Sequence, residues 1–383
     1  MRILGSDQPE LPAVRVGFLP LTDCASLIMA GAGQFDLKHG IHIIPSLEPS
    51  WATLRDKLLS GQLDAAHALY GLVYGVELGI GGPQQAMAVL MTMNRNGQAI
   101  TLSRDFAQSG VTDGETLAAY LKRSGRKPTF AQTFPTGTHA LWLYYWLAAH
   151  GIDPNRDVNI TTVPPPEMVS RMATGHIDAF CAGEPWNAIA VRDQVGFTAA
   201  TSQAIWPGHP EKALACTAGW ADTHPHTARA LIASILEASR WIESSRENQR
   251  VTAGVLAEQV FLPANPELLS ARLLGHYEDG LGRQWNDVHP LTFFDGGKVN
   301  FPYLSDGMWF MTQHKRWGLI AEHPDYLRVA GSVQRISLYR EGARAAGVDM
   351  PTSSLRSSRL MDGSVWNGTN PREYAERFTI QEA

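Results

Sequence analysis

The chain has 383 residues, 44% of them hydrophobic, enough to bury a large core and, at this length, to form two domains or lobes. Its formal charge is −5 and its Lys and Arg residues are scattered, so it lacks the basic stripe that a phosphate backbone requires, which argues against direct nucleic-acid binding. Its three cysteines, Cys24, Cys181 and Cys216, show no CxxC spacing, which argues against a disulfide framework or a zinc site and fits a reducing compartment.

The opening "MRILGSDQPELPAVRVGF" has no apolar stretch of signal-peptide length, because Asp7, Pro9 and Glu10 interrupt it, and the expectation is a cytoplasmic chain. From there the sequence predicts a strand over Val14 to Phe18, a loop through Pro20 and Asp23, a helix to Gln34 and a strand over Ile41 to Leu47, which make one βαβ unit. "SWATLRDKLLSGQLDAAHAL" adds a helix capped by Ser50 and a strand after Gly61. "QAMAVLMTM" is a further strand leading to "NRNGQAITLS".

The order then repeats. "PTFAQTF" reads as a strand, "PTGTHALWLYYWLAAHG" as a loop and a helix ended by Gly151, "VNITTVP" as a strand, "PPEMVSRMATG" as a helix and "IDAFCAGEP" as a strand. The apolar run in that first helix is too short to span a bilayer. Both halves close on helix end, Gly, aliphatic, Asp, Ala, strand: Gly61 with Asp64, then Gly175 with Asp178. A repeated βαβαβ order predicts two similar α/β lobes, each with a parallel sheet, meeting at a ligand cleft lined by strand C-termini and helix N-termini. After about Pro210 the chain turns helical and is expected to return over the first lobe. The expected division is 1–98 and 210–350 for lobe I, 99–209 for lobe II and 351–383 for a loosely packed tail.

Candidate site residues gather at the expected cleft. Thr138 in "FPTGTHALW" is a candidate N-cap whose helix end suits an anion, although capping alone would explain it. His139 follows it. Gly183 in "GEPWNA" allows a close backbone approach, while Glu184 and Trp186 are expected to brace the lobes. Lys212 in "GHPEKALA" would ordinarily be a solvated lysine, and Trp51 an ordinary core residue. Gln98 offers a neutral amide donor near the crossing between lobes. No nucleophile elbow, HExxH, P-loop or dinucleotide fingerprint occurs, and His67, His139 and His209 are too dispersed in the sequence to argue for a metal.

Through "SWATLRDKLLSGQLDAAHAL", "NRNGQAI", "FPTGTHALWLYYWLAAHGIDP", "VPPPEMVSRM", "DAFCAGEPWNA" and "IWPGHPEKALA", residues 14 to 330 resemble the nitrate/bicarbonate-binding family of ABC-transporter solute-binding proteins. The resemblance implies a type II periplasmic-binding-protein fold, two α/β lobes around a ligand cleft, with one small planar oxyanion held between them. It implies no catalysis, no cofactor and no metal. Carried over, the nitrate contacts fall on Trp51, Gln98, His139, Gly183 and Lys212, with Thr138 beside them. Bicarbonate-binding relatives carry a carboxylate at the position of Lys212, so a lysine there implies nitrate or nitrite. The short N-terminus implies the cytoplasmic branch of the family: a nitrate/nitrite sensor that holds an ANTAR-type, NasT-like RNA-binding antiterminator until nitrate arrives, without touching nucleic acid or membrane itself. The alternative is the substrate-binding component of a nitrate ABC transporter. An enzymatic rival, the thiamine-pyrimidine synthases that share this fold, would need a Cys-rich motif absent here.

Overall fold

The structure, a computed structural model, describes residues 7–380. Residues 1–6 and 381–383, where the first lobe and the tail were expected to begin and end, lie outside the described residues. Ten strands form two five-stranded sheets. The first holds β1 (Ala13–Phe18), β2 (His42–Leu47), β3 (Ala65–Leu69), β4 (Met87–Arg95) and β10 (Pro210–Thr217) in the order β2-β1-β3-β10-β4. The second holds β5 (Gln98–Ser103), β6 (Thr129–Gln132), β7 (Asn159–Thr162), β8 (Ala179–Gly183) and β9 (Gly196–Thr201) in the order β7-β6-β8-β5-β9. The orders correspond strand for strand, so the fold is the expected pair of similar α/β lobes.

One expectation needs correction, because the sheets are mixed rather than parallel. β10 runs antiparallel to β3 and β4, and β5 runs antiparallel to β8 and β9. Each is the strand by which the chain enters a lobe from the other one, so it starts at the cleft edge and runs against strands that end there.

The repeated Gly-to-Asp turn does the same work in both lobes. Gly61 and Gly175 take φ of +75° and +73°, values that favour glycine, and end their helices. Three residues on, the Asp pins the start of its strand to the neighbour. The Arg15 N–H donates to Asp64 Oδ2 at 2.8 Å while the Asp64 N–H donates to the Arg15 carbonyl at 2.9 Å. In the second lobe the Thr129 N–H donates to Asp178 Oδ2 at 2.8 Å and the Asp178 N–H to the Thr129 carbonyl at 2.8 Å. The short side chain accepts there while its own backbone donates, and the carboxylate also holds an arginine, Arg15 on Asp64 and Arg126 on Asp178.

The two crossings lie side by side. Asn96, at φ +61°, receives the Gly208 N–H on Oδ1 at 2.9 Å and donates its own N–H to the His209 carbonyl at 3.2 Å. The return segment covers the first lobe with helix Pro225–Glu243, whose Leu231, Ile235 and Leu236 are buried with Val14, Val16 and Ile28. It also reaches the second lobe: the Thr198 N–H donates to the Asp279 carbonyl at 2.9 Å, and helix Leu304–Arg316 stacks Trp309 on Trp142 with centroids 4.9 Å apart.

The final segment is not loosely packed. Trp366 is 1% exposed and donates its indole N–H to the Ser305 carbonyl at 2.8 Å. The Tyr145 hydroxyl donates to Asp362 at 2.8 Å, and the Met361 N–H donates to the Ile205 carbonyl at 2.8 Å. These anchors are single aromatic, polar and backbone groups without helical or strand period, which is why the pattern of residues 351–380 hid them. No helix among the described residues is long and apolar enough to cross a membrane.

Candidate functional site

The ends of β1, β3 and β8 and the starts of β5 and β10 converge where the lobes meet, and the side chains there form one buried cluster. Trp51 is the first residue of helix Trp51–Leu59, capped by the Ser50 hydroxyl, which accepts from the Thr53 N–H at 3.1 Å. It is fully buried, and its indole N–H has no partner. A buried unpaired donor costs about 1–3 kcal/mol, so this N–H is a ready contact for an acceptor.

Lys212 is no surface lysine, for it too is wholly buried, with its ammonium 5.7 Å from the Trp51 ring centre. Nζ donates to Asp23 Oδ2 at 2.6 Å and to Glu211 Oε1 at 3.1 Å. A regular strand would send Glu211 and Lys212 to opposite faces. The register of β10 against β4 slips on both sides of Lys212, and such an irregularity re-aims side chains, so both reach the cluster.

Glu211 is the hub. Its Oε1 accepts from the Thr138 hydroxyl and lies 3.2 Å from His139 Nε2, and its Oε2 accepts from the Trp142 indole at 2.7 Å. Thr138 is therefore not the cap it was expected to be. Gly137 takes the extended N-cap conformation, Thr138 is the first helical residue, and its hydroxyl is spent on Glu211. His139 Nδ1 lies 2.7 Å from the Thr133 hydroxyl, and His139 Nε2 lies 3.1 Å from Gln98 Oε1. The Gln98 amide donates to Asp23 Oδ2 at 3.2 Å and to the Asn96 carbonyl at 3.1 Å. Gly183 sits opposite Gln98 across the β5–β8 pair, and a Cβ there would stand 2.8 Å from Gln98 Oε1 and 3.2 Å from Leu21, leaving no room for a side chain.

All six candidate residues thus come together: Trp51 and Lys212 from the first lobe, Gln98, Thr138, His139 and Gly183 from the second. Sequence reasoning missed Asp23, Glu211 and His67. Asp23 follows β1 at a strand's C-terminal end and Glu211 adjoins Lys212, but only the irregular β10 register makes the second fact informative. Glu184 and Trp186 brace the lobes as expected, since the Glu184 carbonyl accepts from the Thr22 N–H at 2.7 Å and the Trp186 indole donates to the Pro20 carbonyl at 3.1 Å.

Charge decides the chemistry. Burial raises the Asp23 carboxyl, but Lys212 and His67 outweigh it and hold Asp23 down at about 2. Burial likewise opposes ionisation of Glu211, and Lys212 with His139 overrides it to keep that carboxyl below its ordinary range. Burial pulls Lys212 down, and the two carboxylates more than restore it. Burial dominates at His139 and pushes it below its ordinary range, against the pull of Glu211.

A carboxyl whose folded pKa is depressed contributes stability above its unfolded value that is lost as pH falls through the folded one. For Asp23 the window runs from about 3.8 down to about 2. The melting temperature should fall across that window, and Asp23→Asn should show a shallower fall there; parallel curves for the two proteins would refute the assignment.

Two α/β lobes thus meet on a buried cluster of charged and neutral polar side chains. The chain belongs to the NMT1-like family, which it matches over residues 7–257. It is 36% identical to the nitrate/nitrite binding protein NrtA of Synechococcus elongatus, over 97% of this chain and 87% of that protein. It is 35% identical to the nitrate import ATP-binding protein NrtC of Synechocystis over 98% of its own length, yet spans 57% of that longer protein. The crystal structure of the periplasmic nitrate-binding protein NrtA from Synechocystis superposes with a TM-score of 0.92 at 32% identity, covering 97% of this chain and all of that one. The expected membership among nitrate- and bicarbonate-binding solute-binding proteins stands. The expected nitrate/nitrite sensor does not: the relatives matched across nearly the whole chain are nitrate/nitrite binding proteins, one of them periplasmic, and they leave the antiterminator partner, which rested on the sensor reading, without support.

Proposed function

We propose that the chain is the nitrate- or nitrite-binding component of an ABC-type import system, closing its lobes on one anion without chemically changing it. The observation that carries this reading is the set of buried donors around Lys212. Its ammonium has three donors and spends two on Asp23 and Glu211, leaving one; the Trp51 N–H is unpartnered; and the Gln98 amide and His139 stand beside them from the other lobe. An anion gripped from both sides favours the closed form by its differential affinity for that form. Nitrate and nitrite only accept hydrogen bonds, which suits donors. Bicarbonate brings an O–H that needs an acceptor, and three of the four carboxylate oxygens here are already engaged, Asp23 Oδ2 by Lys212 and Gln98 and the two Glu211 oxygens by Thr138, Lys212 and Trp142, while Asp23 Oδ1 faces His67 Nε2 at 3.2 Å.

Calorimetric titration with nitrate, nitrite and bicarbonate tests the reading. Nitrate or nitrite should bind and bicarbonate should bind far more weakly; the reverse order would overturn it. Trp51→Phe keeps the flat apolar wall and removes the donor. It should weaken nitrate by about 1.5–3 kcal/mol, at least tenfold in Kd, with little change in melting temperature. Unchanged affinity with a large loss of stability would make Trp51 a core residue only.

A further inference from the structure

We propose that capture of the anion takes up one proton from solvent, and that His139 holds it. This deepens the functional reading above and rests on it. The starting point is the charge of the closed cluster. Asp23 and Glu211 are ionised carboxylates, and one ammonium, 2.6 Å and 3.1 Å from them, faces both. With the bordering histidines neutral, the cluster is therefore already net negative before an anion arrives. Among the described residues the further cation bracing the lobes, Arg272, is committed to Glu184 at 2.9 Å and to the His276 carbonyl at 2.7 Å. A second negative charge buried there without compensation is strongly disfavoured, and the usual outcome is that a neighbouring group changes protonation.

Three histidines border the cluster, and their hydrogen bonds separate them. The groups facing His139 are Glu211 and Lys212 from β10 and Asp23 from the loop after β1, with the neutral Gln98, Thr133 and Trp51 completing its surroundings. As an imidazolium it would donate from Nε2 toward Gln98 Oε1 and Glu211 Oε1, at 3.1 Å and 3.2 Å, and from Nδ1 to Thr133 Oγ1 at 2.7 Å. A hydroxyl accepts as readily as it donates, so the second proton meets a partner in place. His67 lies 3.2 Å from Asp23 Oδ1 through Nε2, but its Nδ1 is buried without a partner, and charging it would bury an unpaired N–H. His209 sits against the Trp142 ring on the far oxygen of Glu211, at 3.7 Å, away from the other candidate contacts.

The sign follows from linkage. Burial holds His139 below its ordinary range in the anion-free protein, and an adjacent anion raises it. Between those two values, affinity falls by about tenfold per pH unit as pH rises.

The experiment titrates the full chain with sodium nitrate at pH 7.5 in buffers of low and high ionisation enthalpy. A difference corresponding to about one proton taken up per anion is the expected result. Nitrate binding with the same enthalpy in both buffers overturns the proposal and leaves the functional reading intact; no binding of nitrate or nitrite overturns both. His139→Gln keeps an amide donor in that place and cannot titrate, so it should bind nitrate more weakly with no proton uptake. Uptake that persists in His139→Gln overturns the assignment to His139. Should that variant fail to fold, the slope of affinity against pH in the parent still decides whether a proton is coupled.

Discussion

Lys212→Met should both abolish nitrate binding and lower the stability of the protein by about 3–5 kcal/mol, the cost of breaking a buried ion pair by removing one partner. The magnitude comes from what is left behind. Asp23 and Glu211 are wholly buried, and the ammonium that each of them faces disappears. Burial then governs both carboxyls and raises them above their ordinary range. Stability would be present below that range and lost as pH rises, the reverse of the parent. Urea unfolding at pH 5 and pH 7.5 reads both effects. Asp23→Asn combined with Lys212→Met removes one of the two stranded charges, so it should recover a large part of the stability and none of the nitrate binding. A single variant as stable as the parent, or one that still binds nitrate, would show that Lys212 neither compensates the carboxylates nor touches the ligand.

Trp309→Ala should cost about 3–5 kcal/mol, as large-to-small substitutions of buried aromatics do. Trp309 is fully buried in helix Leu304–Arg316, and its ring centre lies 4.9 Å from that of Trp142 and 5.0 Å from that of Trp206. Trp142 belongs to the second lobe and is itself the donor to Glu211 Oε2 at 2.7 Å. The cavity would therefore open behind the buried cluster, between the return helix and the lobe it braces. Thermal unfolding should drop by several degrees, and nitrate affinity measured where the variant is fully folded should change less than in Trp51→Phe. A loss of affinity larger than that of Trp51→Phe would mean that the tryptophan stack sets the geometry of the donors more strongly than the donors' own hydrogen bonds do.

Part of this site was legible and part was not. Trp51, Gln98, Thr138, His139, Gly183 and Lys212 could be named from motifs, and they do meet. The carboxylates could not be given roles, because Asp23 and Lys212 are separated by 189 positions in the chain and meet only through the β1–β3–β10 pairing. The role of Thr138 was misread because a threonine after Gly in a helix-starting loop looks like a cap whether or not its hydroxyl has a stronger partner nearby. Here the partner is a buried carboxylate, and a bond to a charged acceptor outweighs a neutral cap.

Local chemistry was decided by the sequence alone. Gly61 with Asp64 and Gly175 with Asp178 mark the lobe repeat, because a left-handed turn followed by a carboxylate that pins the next strand is a short-range requirement, readable within a few residues. Tertiary structure alone decided the direction of β5 and β10, the docking of Trp366, and the charge of the cluster, since each depends on residues brought from distant parts of the chain. The charge is the clearest case. Asp23, Glu211 and Lys212 in isolation are ordinary solvated groups, and only their shared burial within hydrogen-bonding distance turns them into a fixed electrostatic frame that governs what the cleft can hold.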